Sequence, residues 1–163
     1  MKKLLLILTI IFFSTSLFAS DEKTGRYFKD QTDVSDEPQV HFIYLLNKDS
    51  EDNEWDINGK MEKELLEANE KMFEMTKGNQ KFRYDMREDG KMDSSFVRFD
   101  KQFKGNYGMN YPDAYLTKLG FNNPNKLYFA WVDVGHRDGG QASVHHGYIF
   151  LKANIIKALK REF

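Results

Sequence analysis

The sequence predicts a single layered α/β domain with a mixed sheet, and three observations carry that expectation. Lys126 to Val134 holds seven apolar residues in nine, without polar alternation, between Asn122-Asn123-Pro124-Asn125 and Gly135. Such a run reads as a strand buried on both faces. Amphipathic segments starting at Met61, Pro112 and Asn154 can supply the helices that cover it. Several other runs have strand character, and 163 residues make one domain rather than two.

The first nineteen residues read as a signal peptide. Met1-Lys2-Lys3 is a basic start, Leu4 to Phe13 an apolar stretch broken only by Thr9, and Leu17-Phe18-Ala19 ends in the small residue that signal peptidase requires. The stretch is well short of the ~20 residues needed to span a bilayer, so no stable membrane anchor is expected after cleavage, and the location is secreted or periplasmic. Without Cys there is no lipid attachment site, disulfide or thiolate ligand. Loss of Lys2 and Lys3 leaves 22 basic against 25 acidic residues and moves the formal charge from -1 to -3. No basic stripe marks a nucleic-acid binder, so the partner expected is an extracellular protein or polymer.

Residues 20–38 are polar and charged without period, which predicts a mobile leader to a domain spanning 39–163. Val40 to Leu46 is nearly continuous apolar sequence and reads as a second buried strand. His41 within it reads as a core or strand-end residue held by the backbone. Met61 to Thr76 repeats Met61, Leu65, Ala68, Met72 and Met75 at helical spacing, with Asn58 as cap and Gly78 as stop. Phe82 to Met86 alternates strictly and reads as a strand with a covered face at Phe82, Tyr84 and Met86 and a wetter one at Arg83 and Asp85, Asp89-Gly90 offers a turn, and Ser95 to Phe99 reads as the second strand of a hairpin, with Arg83, Asp85 and Arg98 able to pair across it. Pro112 to Leu119 is a short helix stopped by Gly120, Val144 to Leu151 a last strand, and Asn154 to Phe163 a closing helix without a stop signal. That last feature fits either a docked terminal helix or a chain that continues. The expected order is β-α-β-β-α-β-β-α.

Two sets of residues are candidates for a metal. Asp49, Asp52, Asp56 and Asn58, around the Asn58-Gly59 turn, offer the oxygens that calcium takes, although the spacing departs from an EF-hand and such acidic loops are also simply solvated. His136 with His145 or His146, and Asp133 or Asp138, could supply a transition metal. The adjacent histidines would face opposite sides of a strand, so only one of them can join. The loop Gly135 to Gln141 also follows a buried strand, where α/β proteins tend to place chemistry. Ser94, Ser95 and Ser143 lack the glycine elbow of a nucleophile, and no phosphate-binding glycine motif occurs.

Taken in order, Val40 to Leu46, Asp56-Ile57-Asn58-Gly59, Lys81-Phe82-Arg83-Tyr84-Asp85, Ser95-Phe96-Val97-Arg98 and Gly120 to Tyr128 resemble the first part of a group of secreted bacterial zincin-like proteins. In their longer members a helix bearing His-Glu-x-x-His follows, as in zinc metallopeptidases. The resemblance spans Val40 to Leu151 and implies a zincin-like sheet, with the helix from Met61 laid across it and the metal-binding helix next after Leu151. His-Glu-x-x-His is absent from this sequence, so no catalytic residue carries over. The expectation is a secreted zincin-like domain without peptidase activity, and the alternative an extracytoplasmic binding module stabilised by calcium.

Overall fold

The computed structural model describes residues 24–102, 110–133, 140–143 and 148–152. The expected signal peptide, His136, the His145-His146 pair and the closing helix lie outside them. The elements are β1 (Gln39–Leu46), α1 (Lys60–Met75), β2 (Ser94–Arg98), α2 (Asn110–Lys118), β3 (Lys126–Asp133), β4 (Gly140–Ser143) and β5 (Tyr148–Lys152). They form one five-stranded sheet in the order β2-β1-β3-β5-β4. All neighbours run parallel except β4, which is antiparallel to β5. The mixed α/β class expected from the sequence is therefore the class observed.

The sheet is covered on both faces because the chain reverses direction across it. β1 steps to β2 on one side, and β2 then crosses back over β1 to β3. Two crossovers of the same hand on opposite sides of β1 put their helices on opposite faces. Accordingly Val40, Phe42, Tyr44 and Leu46 of β1 pack with Met61 and Leu65 of α1, while Ile43 and Leu45 pack with Leu116 of α2. Every residue of β1 is buried, as suits an interior strand paired on both edges.

The hairpin expected between Phe82 to Met86 and Ser95 to Phe99 does not form. β2 pairs parallel with β1, from Phe42↔Ser94 to Leu46↔Arg98. The segment at 83–86 takes the same edge of β1 only at Val40, whose N–H donates to Arg83 O at 2.8 Å and whose carbonyl accepts from Asp85 N at 2.9 Å. The Asp89-Gly90 turn is present but closes a tighter loop, with Arg87 N donating to Lys91 O and Asp93 N to Asp85 O. Phe82, expected on the covered face, is exposed, and Asp85 is buried. The described part of the last strand is Tyr148–Lys152, and Gly140–Ser143, whose first two residues were read as the end of a polar loop, forms β4 along the far edge of β5. Backbone pairing at that edge needs donors and acceptors rather than apolar side chains, so four residues without a strand pattern can serve.

Helix α1 begins and ends close to its expected bounds. Gly59, in the left-handed region at φ 77°, is its cap residue, and the Asn58 side chain accepts from Lys60 N at 3.0 Å. Gly78, at φ 81°, donates its N–H to Phe73 O and terminates the helix. The buried stripe is Met61, Leu65 and Asn69, whereas Ala68 and Met75 face solvent. Asn69 is buried because its amide acts as a strand partner, accepting from Phe82 N at 2.8 Å and donating to Phe82 O at 3.0 Å. Replacing Asn69 by Ala leaves both backbone groups without that partner, and should lower the unfolding free energy in urea by about 1–3 kcal/mol.

Candidate functional site

A buried polar cluster lies at the amino ends of β1, β2 and β3, on the face that α2 covers. Parallel register puts His41 of β1, Ser95 of β2, and Lys126 and Tyr128 of β3 on this one face. The segment before β1 brings Asp30 and Asp33, and the Asp89-Gly90 loop brings Asp85 and Asp93, joined through the Asp93 N to Asp85 O bond. His41 sits between partners: Nδ1 is 2.7 Å from Asp85 Oδ2 and Nε2 is 3.0 Å from Ser95 Oγ. The rings of Phe121 and Tyr128 flank it at 5.8 and 5.7 Å. Lys126 Nζ donates to Asp85 Oδ2 at 2.6 Å and is paired with Asp30 and Asp33. The Tyr128 hydroxyl donates to Asp30 Oδ2.

Burial and charge oppose each other here. Burial would lift the Asp85 carboxyl, but hydrogen bonds from His41 and Lys126 outweigh it and hold the group below the usual carboxylate range. Burial would likewise lower Lys126, and the hydrogen bonds to Asp30, Asp33 and Asp85 instead keep its ammonium above the ordinary lysine value. At Asp93 burial wins: it pushes the carboxyl up although the charge of His41 and the hydrogen bond from Gln31 N pull it down, and Oδ1 has no hydrogen-bond partner. Desolvation also raises the Tyr128 phenol.

Asp85, His41 and Ser95 have the connectivity of an acid–base–nucleophile relay. Ser95 and His41 are 0% exposed, so the hydroxyl is closed to solvent in this structure. One ligand atom from each of Asp30, His41, Asp85 and Asp93 lies within 4.8 Å of the others, so this buried group could hold a metal ion.

No family model, curated protein or solved structure matches this chain. Its chemistry must be read from these side chains.

The acidic loop offered for calcium is built around an arginine. Asp52 and Asp56 converge on Arg26, whose Nη1 reaches Asp52 Oδ2 at 2.6 Å and whose Nε and Nη2 reach Asp56 at 2.7 Å each. Asn58 is occupied by Lys60 N and Asn53 O, and Asp49 is exposed beyond the group. His136 and His145 fall outside the described residues. Arg83, Asp85 and Arg98 do not meet: Arg83 pairs with Glu37 at 3.2 Å, and Arg98 donates to the carbonyls of Asn47, Lys48 and Ser50. His41, read as a histidine held by the backbone, is held by two side chains instead. Residues 24–38, the described part of the stretch read as a mobile leader, contain no helix or strand, yet Arg26 is buried and the segment is tied to the domain by Asp30 and Asp33 at Lys126 and by contacts with Phe96 and Asp93. In those contacts Tyr27 O accepts from Phe96 N at 2.7 Å, and Gln31 N donates to Asp93 Oδ2 at 2.9 Å.

Proposed function

We propose that the chain is a secreted, zincin-like α/β domain that acts by binding and has no peptidase activity. The zincin-like reading is supported by α1 lying across one face of a mixed sheet, as the resemblance of Val40 to Leu151 implies. The lack of hydrolysis is supported by chemistry. The sequence has no His-Glu-x-x-His to hold zinc and activate water, and the buried relay at Ser95 is closed to solvent. Secretion is supported by the basic, apolar and small-residue succession of residues 1–19. The partner is an extracytoplasmic protein or polymer. An open cleft of about 390 Å³ beside the starts of β1 and β3, lined by Pro38, Phe82, Arg83, Pro124 and Leu127 among others, is a surface that supports such contact.

Incubated with an unfolded protein substrate and saturating zinc, the purified chain should release no peptides. Hydrolysis that a chelator abolishes would overturn the proposal.

A further inference from the structure

We propose that Asp30, His41, Asp85 and Asp93 bind one divalent first-row transition cation, with zinc the best fit, in a closed structural site at the amino ends of the parallel strands. This site is separate from any peptidase centre, and it stands whether or not the zincin-like reading does.

The donors are already gathered. His41 Nδ1 lies 2.7 Å from Asp85 Oδ2, 3.5 Å from Asp30 Oδ1 and 3.6 Å from Asp93 Oδ2. Ligands at about 2.1 Å from a tetrahedral ion sit roughly 3.4 Å apart, so two of these separations need almost no change and the third a small opening. Independently, Asp93 is 1% exposed and its Oδ1 has no hydrogen-bond partner, an arrangement that is costly unless a cation or donor completes it. Charge points the same way. Asp30, Asp33, Asp85 and Asp93 are four carboxylates, and Lys126 is the only lysine or arginine paired with them among the described residues.

The donor set selects the metal class. Three carboxylates and an imidazole, four protein donors in all, suit zinc better than calcium, which takes six to eight oxygens. With Nδ1 on the metal, His41 Nε2–H would donate to Ser95 Oγ, the outer hydrogen bond that fixes the tautomer of a ligating histidine. The ion would take Asp30 Oδ1 and Asp85 Oδ2 from the Lys126 ammonium, which bonds both, and Lys126 would retain Asp33 as its partner. The ion can enter from the side of Asp30, whose side chain is 18% exposed.

The test is zinc binding to the full chain after chelator stripping, read by bound metal and by the nitrogen shifts of His41. The expected result is one equivalent of zinc, a raised Tm, a metal-shifted Nδ1 and a protonated Nε2. Asp93→Asn, which keeps the shape, should weaken binding at least tenfold. Unmoved His41 nitrogens at saturating zinc would overturn the site, as would an Asp93→Asn variant that binds as tightly as the parent. Zinc lost on replacing His136 and His145 while His41 stays unshifted would also overturn it. If Asp93→Asn does not fold, the His41 shifts in the parent chain decide alone.

Discussion

Exchanging Lys126 for Met should destabilise the domain by about 3–5 kcal/mol, because it removes one partner of a buried ionic group and leaves the others charged. The Lys126 ammonium touches Asp30, Asp33 and Asp85, and its side chain is buried. Met fills similar space, so lost packing is a minor part of the effect. At this domain size the Tm should fall by roughly 10–20 °C. Asp85 fixes the sign of the acid dependence. Its folded pKa is depressed, so its contribution is fully present above the unfolded carboxylate value of about 3.9 and is lost as pH falls through the lower folded value. Without Lys126 one cause of that depression is gone, and the variant should begin to lose stability at higher pH than the parent. Adding Asp85→Asn to Lys126→Met should restore part of the loss by removing an uncompensated charge. Denaturant unfolding of the parent and the two variants at several pH values measures all of this, and a loss under about 1 kcal/mol for Lys126→Met would show that the cluster is already relaxed by water or protons.

The cluster was hard to read in the sequence for reasons these residues make concrete. The fold class was legible because β1 and β3 are long apolar runs and α1 has a clear helical period, signals that local composition carries. Strand partnership is not local: nothing in Ser95 to Phe99 says whether it pairs with the segment before it or runs parallel to β1. Asp85 was assigned to a wetter face by alternation, but alternation fixes only that neighbours point opposite ways and leaves open which side is covered. Asp30 and Asp33 sit in a stretch whose composition resembles disorder, and they become core groups only because Lys126 waits for them 90 or more residues away. The usable signals were Lys126 and His41 themselves, two basic groups in strands that are largely apolar, each requiring buried acidic or polar partners.

Arg26→Met should cost a comparable amount, about 3–5 kcal/mol, and should also show what the acidic loop is for. Its side chain is fully buried, donates to both Asp52 and Asp56, and lies with its guanidinium carbon 3.9 Å over the Phe96 ring. Burial alone would lower its pKa, yet the hydrogen bonds to the two carboxylates raise it, so the charge is permanent. The guanidinium thus takes the place a calcium ion would need, and millimolar calcium should leave the Tm of the parent chain unchanged. In the variant, replacing Asp52 and Asp56 by Asn should recover part of the stability, because the two half-buried carboxylates lose the arginine they share. Arg26 has a second consequence: it anchors the segment that carries Asp30 and Asp33 to Lys126. Loosening that anchor weakens the Lys126 cluster as well, so Arg26→Met and Lys126→Met should combine to less than the sum of their separate costs. Strict additivity in a double-mutant cycle would mean that the segment is held at each end independently.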